Sequence, residues 1–595
     1  MRLSDYVMQR LANAGIKHVF QVTGRGALFL SDALAKSEEI CGISMHHEQA
    51  CAFASIAYAE QYDGIGACLV STGCASTNAI TGVLSAWQDG VPCIFISGQN
   101  ILEETSRFTG IPIRTYGQQE ADIISIVEPI TKFSKMITKP EEIVEVMDRA
   151  LFEAQFGRKG PVWIDIPLDL QSAKINLESI NLRKKEYYKS LPFPKTTDVK
   201  NVIEGLNNAK RPIILIGRGV RSSGAENQLV KFIEKLKIPL TFTASAPDTY
   251  GTENTFSIGS VGAMGCSRAG NFAIQNSDFL LVLGSRLTTL NTGPDFCKFA
   301  RDALITVVDI DPVEHRKKTI NIDHFIHSDV SSFLEVLDEK NIKYENKKWI
   351  EQCLNWKTIF SGIEDDFNSS DFVDLYQLVD ALSTTMPRPS TLVTDSGLNE
   401  VILPTNIRFG FGMKCIHPTS QGAMGFALPA SIGAQINSKN AVLAVIGDGS
   451  IMMNLQELET IRNKKLPIKI IVINNNVYSI IRRRQRDLFR NRTIGTDPEN
   501  GVSCPEFSKI ADCFDFKYLK INEVKGLESG LKEMFSHDGP VLCEIMGKED
   551  QGYIEISHTR SLINKRFIRR PLEDQAPFLT RELFLKEMLI EPIDQ

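Results

Sequence analysis

The stretch AVLAVIGDGSIMMNLQELETIRNKKLPIKIIVINNN, residues 441–476, holds the pattern that decides the fold. Residues 441–446 are an unbroken apolar run of strand type, and the spacing of Leu455, Leu458 and Ile461 predicts a helix over 453–465. Pro467 marks the end of that helix, and residues 468–473 predict the next strand. Strand, helix and strand at these lengths make one parallel βαβ unit. Asp448 and the Asn474/Asn475 pair then fall just past the carboxyl ends of neighbouring strands, where open α/β sheets bind ligands. Gly447 and Gly449 let the backbone approach a phosphate, Ser450 can offer its hydroxyl and amide at a helix start, and Asp448 with Asn475 supplies hard oxygen ligands. Two such oxygens, one backbone carbonyl and a diphosphate suit an octahedral Mg²⁺ ion. The plainer alternative is a glycine turn followed by asparagines that end a strand.

The same alternation runs through the chain. GACLVST, CIFISG and PVWIDIP in the first part, RPIILIG, FLLVLGS and LITVVDID in the second, and TLVTDSG in the third predict parallel sheets with crossover helices. Two polar, charged stretches, residues 181–198 and 338–372, read as joints between three α/β domains of roughly equal size. Residues after Ile556 are too polar for a strand and read as an extended tail. The formal net charge is -6 with 23% charged residues, which gives no global sign of a nucleic-acid partner. No apolar run reaches membrane-spanning length, and MRLSDYVMQRLANAGIKHVF reads as an amphipathic helix leading into a strand, not as a signal peptide. The 12 cysteines are scattered and several sit in strand runs, so a reducing cytoplasm is expected.

Gly-Asp-Gly, 24 residues, then Asn-Asn resembles the thiamin diphosphate (ThDP) motif. The similarity extends through HEQACAFASIAYA, TGCASTNAITGVLSAWQDGVPCIFISGQ, GPVWIDIPLDLQ and QGAMGFALPASIGA to the acetohydroxyacid (acetolactate) synthase branch of the ThDP enzymes. The resemblance implies three doubly wound parallel-sheet domains: a pyrimidine-binding domain over 1–180, a central domain over 195–340 and a diphosphate-binding domain over 370–555, with a C-terminal tail over 556–595. It also implies a homodimer or homotetramer with active sites between subunits. Asp448, Asn475 and the Val477 carbonyl look like the Mg²⁺ ligands. Met424 resembles the apolar wedge that bends the cofactor, the Gly422 carbonyl would receive the aminopyrimidine proton, and Asn399 matches a diphosphate contact, although Leu398 replaces a polar residue usual beside it. Met424 as core filler is the alternative.

Glu48 stands one residue before a run of small apolar residues, in MHHEQACAFASIAYAEQY. An acid at a helix start is favoured by the macrodipole alone. The resemblance implies a sharper role: a carboxylate on the aminopyrimidine that shifts it to its imino form, strengthened by burial among alanines. In the central domain, Gly217 and Gly219 lack the third glycine of a dinucleotide fingerprint, which argues against an NAD dehydrogenase. The family resemblance instead implies FAD, with Gly262 in GSVGAMG and Arg286 in GSRL in matching stretches.

The donor half of the site matches the synthases through Gln119, although Gln118 stands where they have phenylalanine. The acceptor half departs. Where the synthases carry R-F-D-D-R, this chain has RLTTL, so Arg286 remains and Leu290 replaces the arginine that clamps a second carboxylate. A tryptophan that sorts acceptors becomes Arg484, within IIRRRQRDLFRNR, and Arg25 adds a cation where a glycine or its neighbour is usual. A solvated helix face is one reading of such an arginine run. The other is a pocket for a phosphate-bearing acceptor, as in synthase-like enzymes of surface-polysaccharide clusters that build branched-chain sugars. The expected activity is therefore a carboligase that decarboxylates a 2-oxo acid, pyruvate first, and adds the acyl anion to a carbonyl acceptor such as a nucleotide-linked keto sugar. The alternatives are acetolactate synthase proper, a simple 2-oxo acid decarboxylase, or a non-catalytic ThDP-fold subunit.

Overall fold

The computed structural model describes residues 1–177, 189–560 and 566–593. The first half of the predicted 181–198 joint therefore lies outside the described residues, as do residues 561–565 of the tail. Three six-stranded parallel sheets form the body of the molecule. The first contains β1 (His18–Gln21), β2 (Cys41–Ser44), β3 (Gly66–Val70), β4 (Cys93–Gln99), β5 (Phe133–Met136) and β6 (Val162–Pro167), in the order β2-β1-β3-β4-β6-β5. The second contains β7 (Pro212–Ile216), β8 (Leu240–Phe242), β9 (Ser257–Ser260), β10 (Phe279–Leu283), β11 (Leu304–Asp309) and β12 (His324–His327), in the order β12-β11-β10-β7-β8-β9. The third contains β13 (Ser390–Thr394), β14 (Lys414–Ile416), β15 (Ala441–Gly447), β16 (Lys469–Asn474), β17 (Lys517–Ile521) and β18 (Val541–Met546), in the order β14-β13-β15-β16-β18-β17. The first and third sheets thus share one strand order. The expected three doubly wound α/β domains are present.

The apolar runs become strands because a sheet covered by helices on both faces leaves no position that prefers water. β3, β4, β6, β7 and β10 are buried along their whole length. The alanine-rich helix Glu48–Tyr62 has little apolar asymmetry for the same reason: nearly every residue from Ala50 to Gln61 is buried, between the first sheet and the helix Ala427–Gln435 of the third domain. Small side chains permit that approach. A Cβ on Gly433 would lie 2.0 Å from the Ala54 carbonyl oxygen, and one on Gly82 would lie 2.3 Å from the Ala52 methyl carbon. The first and third domains consequently share one continuous apolar core.

Two local expectations are corrected. The predicted 453–465 helix is broken: a 3₁₀ turn at Ile451–Met453 precedes the helix Glu457–Lys464. Asn454 sits between them, with its side-chain amide donating to the Gly425 carbonyl and to Gln49 Oε1, so tertiary hydrogen bonds replace helical ones. The tail is not simply extended. β19 (His558–Arg560) and β20 (Phe567–Arg569) form an antiparallel pair, and a helix follows at Arg581–Glu587. Polar tail residues find buried partners on the central domain: Gln575 with Asn271, Glu573 with Gln275 and Arg301. The polarity that argued against structure serves docking instead. Among the described residues no helix is long and apolar enough to cross a membrane, and no disulfide joins the cysteines.

Candidate active site

β13 and β15 are neighbours at the point where the strand order of the third sheet reverses, so the loops leaving them open a crevice. A cavity of about 850 Å³ lies there and runs on to the ends of β7 and β10 in the central domain. Gly397, Asn399, Gly422, Met424, Gly447, Asp448, Gly449, Ser450, Asn475 and Val477 all line it.

Each group is held for a physical reason. Asp448 follows β15 and is buried, with Oδ1 accepting from the Gly449 amide at 2.7 Å and Oδ2 from the Asn476 amide at 2.6 Å. Burial still pushes its carboxyl up to about 6. The two asparagines divide. Asn474 is tied to Glu544 at 2.6 Å, whereas the Asn475 amide nitrogen donates to Ser479 at 3.0 Å, which leaves its Oδ1 free to ligate. No group of three or more His, Cys, Asp or Glu side chains suited to a metal occurs among the described residues. A cation here would draw on Asp448, Asn475 and a backbone carbonyl, a hard-oxygen set that fits Mg²⁺ shared with a diphosphate. Gly449 is required by contact: a Cβ there would meet the Tyr478 ring at 2.2 Å.

Asp395, just past β13, was not singled out by sequence reading, yet it organises this wall. Fully buried, it accepts from Ser450 Oγ at 2.5 Å and from the Gly425 and Ala427 amides at 3.1 and 2.9 Å. The Ser450 hydroxyl is thereby committed to the protein, which leaves its amide for a ligand. Gln421, whose Oε1 is buried without a partner, and Asp89, reached through Ser420, were likewise missed. An acid ending a strand of type TLVTD is the one signal that could have exposed Asp395.

In the central-domain half of the cavity, Gly217, Gly219 and Arg286 line the wall with Gly284, Ser285 and Asp309. Gly219 and Gly284 let the β7 and β10 loops touch, since a Cβ on Gly219 would lie 2.6 Å from the Gly284 Cα. Arg286 donates to Ser420 Oγ at 2.5 Å. Gly262 lies behind the wall, its amide donating to Asn271 at 3.0 Å, while Met264 and Cys266 of the same turn face the cavity. Leu290 is on the wall and 56% exposed, where a charged clamp would have been solvent-accessible.

The arginine run divides into two sets. Arg482 is buried and bridges Glu549 and Asp550, Arg486 pairs with Asp550 at 2.9 Å, and Arg483 pairs with Glu555 at 2.5 Å. These three anchor the helix Ser479–Leu488. Arg484 is exposed and has no ion pair among the described residues. It stands one turn after the cavity-lining Ile480 and Ile481, on their side of the helix.

Glu48, Gln119 and Arg25 do not line this cavity; they gather at the carboxyl edge of the first sheet. Glu48 opens its helix, is 9% exposed, and accepts from Asn78 Nδ2 at 2.9 Å. Asn78 ends the short helix Cys74–Asn78, whose entry glycine Gly73 (φ 59°) lies against the Gln119 backbone: a Cβ there would be 1.7 Å from its carbonyl oxygen. Gln119 itself has φ 57°, and the adjacent Gln118 side chain accepts from Arg25. Asn78, which nothing in the sequence marked, links this set together.

Comparison with known proteins agrees with both halves. Residues 1–126 match the family described as "Thiamine pyrophosphate enzyme, N-terminal TPP binding domain", 199–337 its central domain and 395–545 its C-terminal TPP binding domain. The chain is 30% identical over 547 residues to the acetolactate synthase isozyme 2 large subunit of Escherichia coli (strain K12), covering 92% of this chain and 95% of that one. It is 29% identical over 557 residues to the acetolactate synthase large subunit of Porphyra purpurea, covering 92% of each. A probable acetolactate synthase large subunit of Methanocaldococcus jannaschii is 30% identical over 562 residues, again covering 92% of each. The chain belongs to the thiamine pyrophosphate enzymes, in the acetolactate synthase-like family of enzymes that form carbon–carbon bonds.

Proposed function

We propose that the protein is a ThDP- and Mg²⁺-dependent carboligase. It decarboxylates a 2-oxo acid, pyruvate first, and delivers the acyl unit to a phosphorylated or nucleotide-linked keto sugar. When bound, ThDP supplies an acidic carbon that adds to the 2-oxo acid and retains the electron pair freed with CO2. The protein's own groups do the rest. Asp448, Asn475 and the Val477 carbonyl would hold Mg²⁺, and the Ser450 amide with Asn399 would grip the diphosphate. Met424 would pack against the cofactor, and the Gly422 carbonyl would accept from its amine. Glu48 holds a proton at the pyrimidine ring, steadied by Asn78. Gln119 faces the donor.

The observation that carries the assembly is the separation of Glu48, Gln119 and Arg25 from the cavity that holds Asp448 and Met424. A complete site needs the first domain of one subunit over the third domain of another, which supports a homodimer or a dimer of dimers. Two observations support the acceptor reading: exposed Leu290 on the cavity wall, and exposed Arg484, without an ion pair among the described residues, one helical turn after the cavity-lining Ile480 and Ile481. Leu290 cannot clamp a carboxylate, and a guanidinium without an ion pair suits a phosphate. The central-domain half, with its polar wall and touching glycine loops, supports FAD as a bound group. The reducing cytoplasm remains the expected compartment.

Acetolactate synthase proper is the second reading, favoured by the names of the relatives themselves. Mass analysis of products decides between them. Pyruvate with a panel of nucleotide-linked keto sugars should yield adducts heavier than the acceptor by one acetaldehyde equivalent, pyruvic acid less CO2. Rapid acetolactate formation from pyruvate alone, with no sugar adduct, overturns the sugar acceptor. A colourless purified protein without the flavin absorption band overturns FAD.

A further inference from the structure

His417 and Glu400 face each other on the cavity wall, between the third and central domains, and neither has a part in the site described above. His417 follows β14 and is 4% exposed. Its Nε2 lies 2.8 Å from the Ala244 carbonyl. A carbonyl only accepts, so Nε2 carries the proton and Nδ1 is a bare lone pair. That Nδ1 is buried and has no hydrogen-bond partner. The nearest acid atom is Glu400 Oε1, at 4.0 Å. Glu400 extends from the helix Leu398–Asn406, and its carboxyl has no hydrogen bond among the described residues. Burial, then Asp89 and Asp395 nearby, pushes the Glu400 carboxyl well up, toward the protonated acid. Burial pushes His417 down to about 4, against the small upward pull of the Ala244 carbonyl and of Asp248 and with the repulsion of Arg218. The pair therefore presents one acceptor and one O–H donor, on two residues that line the cavity.

A separation of 4.0 Å is too long for a direct bond between them, yet one oxygen atom can sit about 2.8 Å from both. Leaving a buried acceptor unpaired costs roughly 1–3 kcal/mol, so the pair favours a ligand that fills the gap. A carbonyl cannot donate to Nδ1, and an ammonium cannot accept from the acid. An alcohol does both.

We propose that His417 and Glu400 form a hydroxyl-recognition subsite for a polyol-bearing ligand of the cavity, with the alcohol donating to Nδ1 of His417 and accepting from the Glu400 carboxyl. The alcohol has two possible sources, the polyol chain of a flavin nucleotide or the ring of a sugar acceptor, and only the choice between them rests on the function proposed above.

The test uses the full-length protein loaded with ThDP and Mg²⁺, with wild type beside Glu400→Leu, Glu400→Gln and His417→Phe. ThDP binding and melting temperature report that each variant folds. FAD is titrated by fluorescence quenching, and KM and kcat are measured for a nucleotide-linked keto sugar. Glu400→Leu and His417→Phe should each weaken one of the two ligands roughly tenfold, while Glu400→Gln, which keeps a donor, should lose less. A change in FAD affinity assigns the flavin, and a change in sugar KM at constant kcat assigns the acceptor. Wild type that binds no FAD would end the flavin reading and leave the sugar arm to decide. A crystal structure of the loaded wild-type protein supplies the final arm: an oxygen of ligand or water within hydrogen-bond reach of both groups is expected. If neither affinity moves, or if no oxygen bridges the pair, the subsite does not exist.

Discussion

The first and third domains are built on the same strand order, β2-β1-β3-β4-β6-β5 and β14-β13-β15-β16-β18-β17, and reverse that order at the same place, between their first and third strands. They present opposite chemistry there. The third carries a buried carboxylate, an amide oxygen and glycine loops, suited to the charged end of a cofactor. The first carries Glu48 at the edge of an apolar helix, suited to a heterocycle. The comparison teaches that topology determines where a ligand goes, and a handful of loop residues determine which part of it. The two sets of residues stand on domains that share one apolar core.

The most severe way to break the comparison is Glu48→Gln. Turnover should fall by about 10²- to 10⁴-fold in CO2 release, with ThDP affinity by calorimetry little changed. Retention of most of the rate would remove the proton-holding role from the first domain. Asp448→Ala attacks the third domain's crevice and should instead weaken Mg²⁺ and ThDP binding by on the order of 100-fold or more, at or above the upper end of the 10- to 100-fold typical of outer-sphere losses. If saturating cofactor restored nothing, the two crevices would not divide the work as proposed.

Between them lies the acceptor. Leu290→Arg combined with Arg484→Trp should move the product ratio roughly tenfold toward condensation of two 2-oxo acids, read by mass. An unchanged ratio would detach acceptor choice from these residues. The gentlest change sharpens the contrast without touching turnover. Asp165, in β6, is fully buried against Ser97 and Gln99, and burial raises its carboxyl from 3.8 to about 7. A folded value above the unfolded one means the native state holds the proton more tightly, so stability is lost as pH rises from about 4 through 7. Asp165→Asn should flatten that slope in denaturant unfolding while CO2 release stays within about twofold, as for most changes away from a site. An undiminished slope would locate the titration elsewhere.

Much of the molecule was legible in the chain because its signals are local. Apolar runs became strands, and Gly447, Asp448, Gly449 and Asn475 came to one wall because a βαβ unit leaves little choice of where its loops emerge. The arginine run shows the limit. Its six arginines look alike in sequence, yet Arg482, Arg483 and Arg486 are consumed by Glu549, Asp550 and Glu555, more than sixty residues downstream, and Arg484 is not. The tail misled for the same reason, since its polar residues have partners some 300 positions earlier, such as Gln575 with Asn271.

By itself, then, the sequence settled the class of fold, the cofactor-type motif and the family, since strand and helix periods and a glycine–acid–asparagine spacing are imposed by neighbours along the backbone. Tertiary structure alone decided that Asn78 steadies Glu48, that Asp395 holds Ser450, that Glu48 stands apart from the cavity, and that His417 meets Glu400 there. Each of these is a pairing between distant segments, and hydrogen-bond geometry over a few ångströms leaves no trace in local composition.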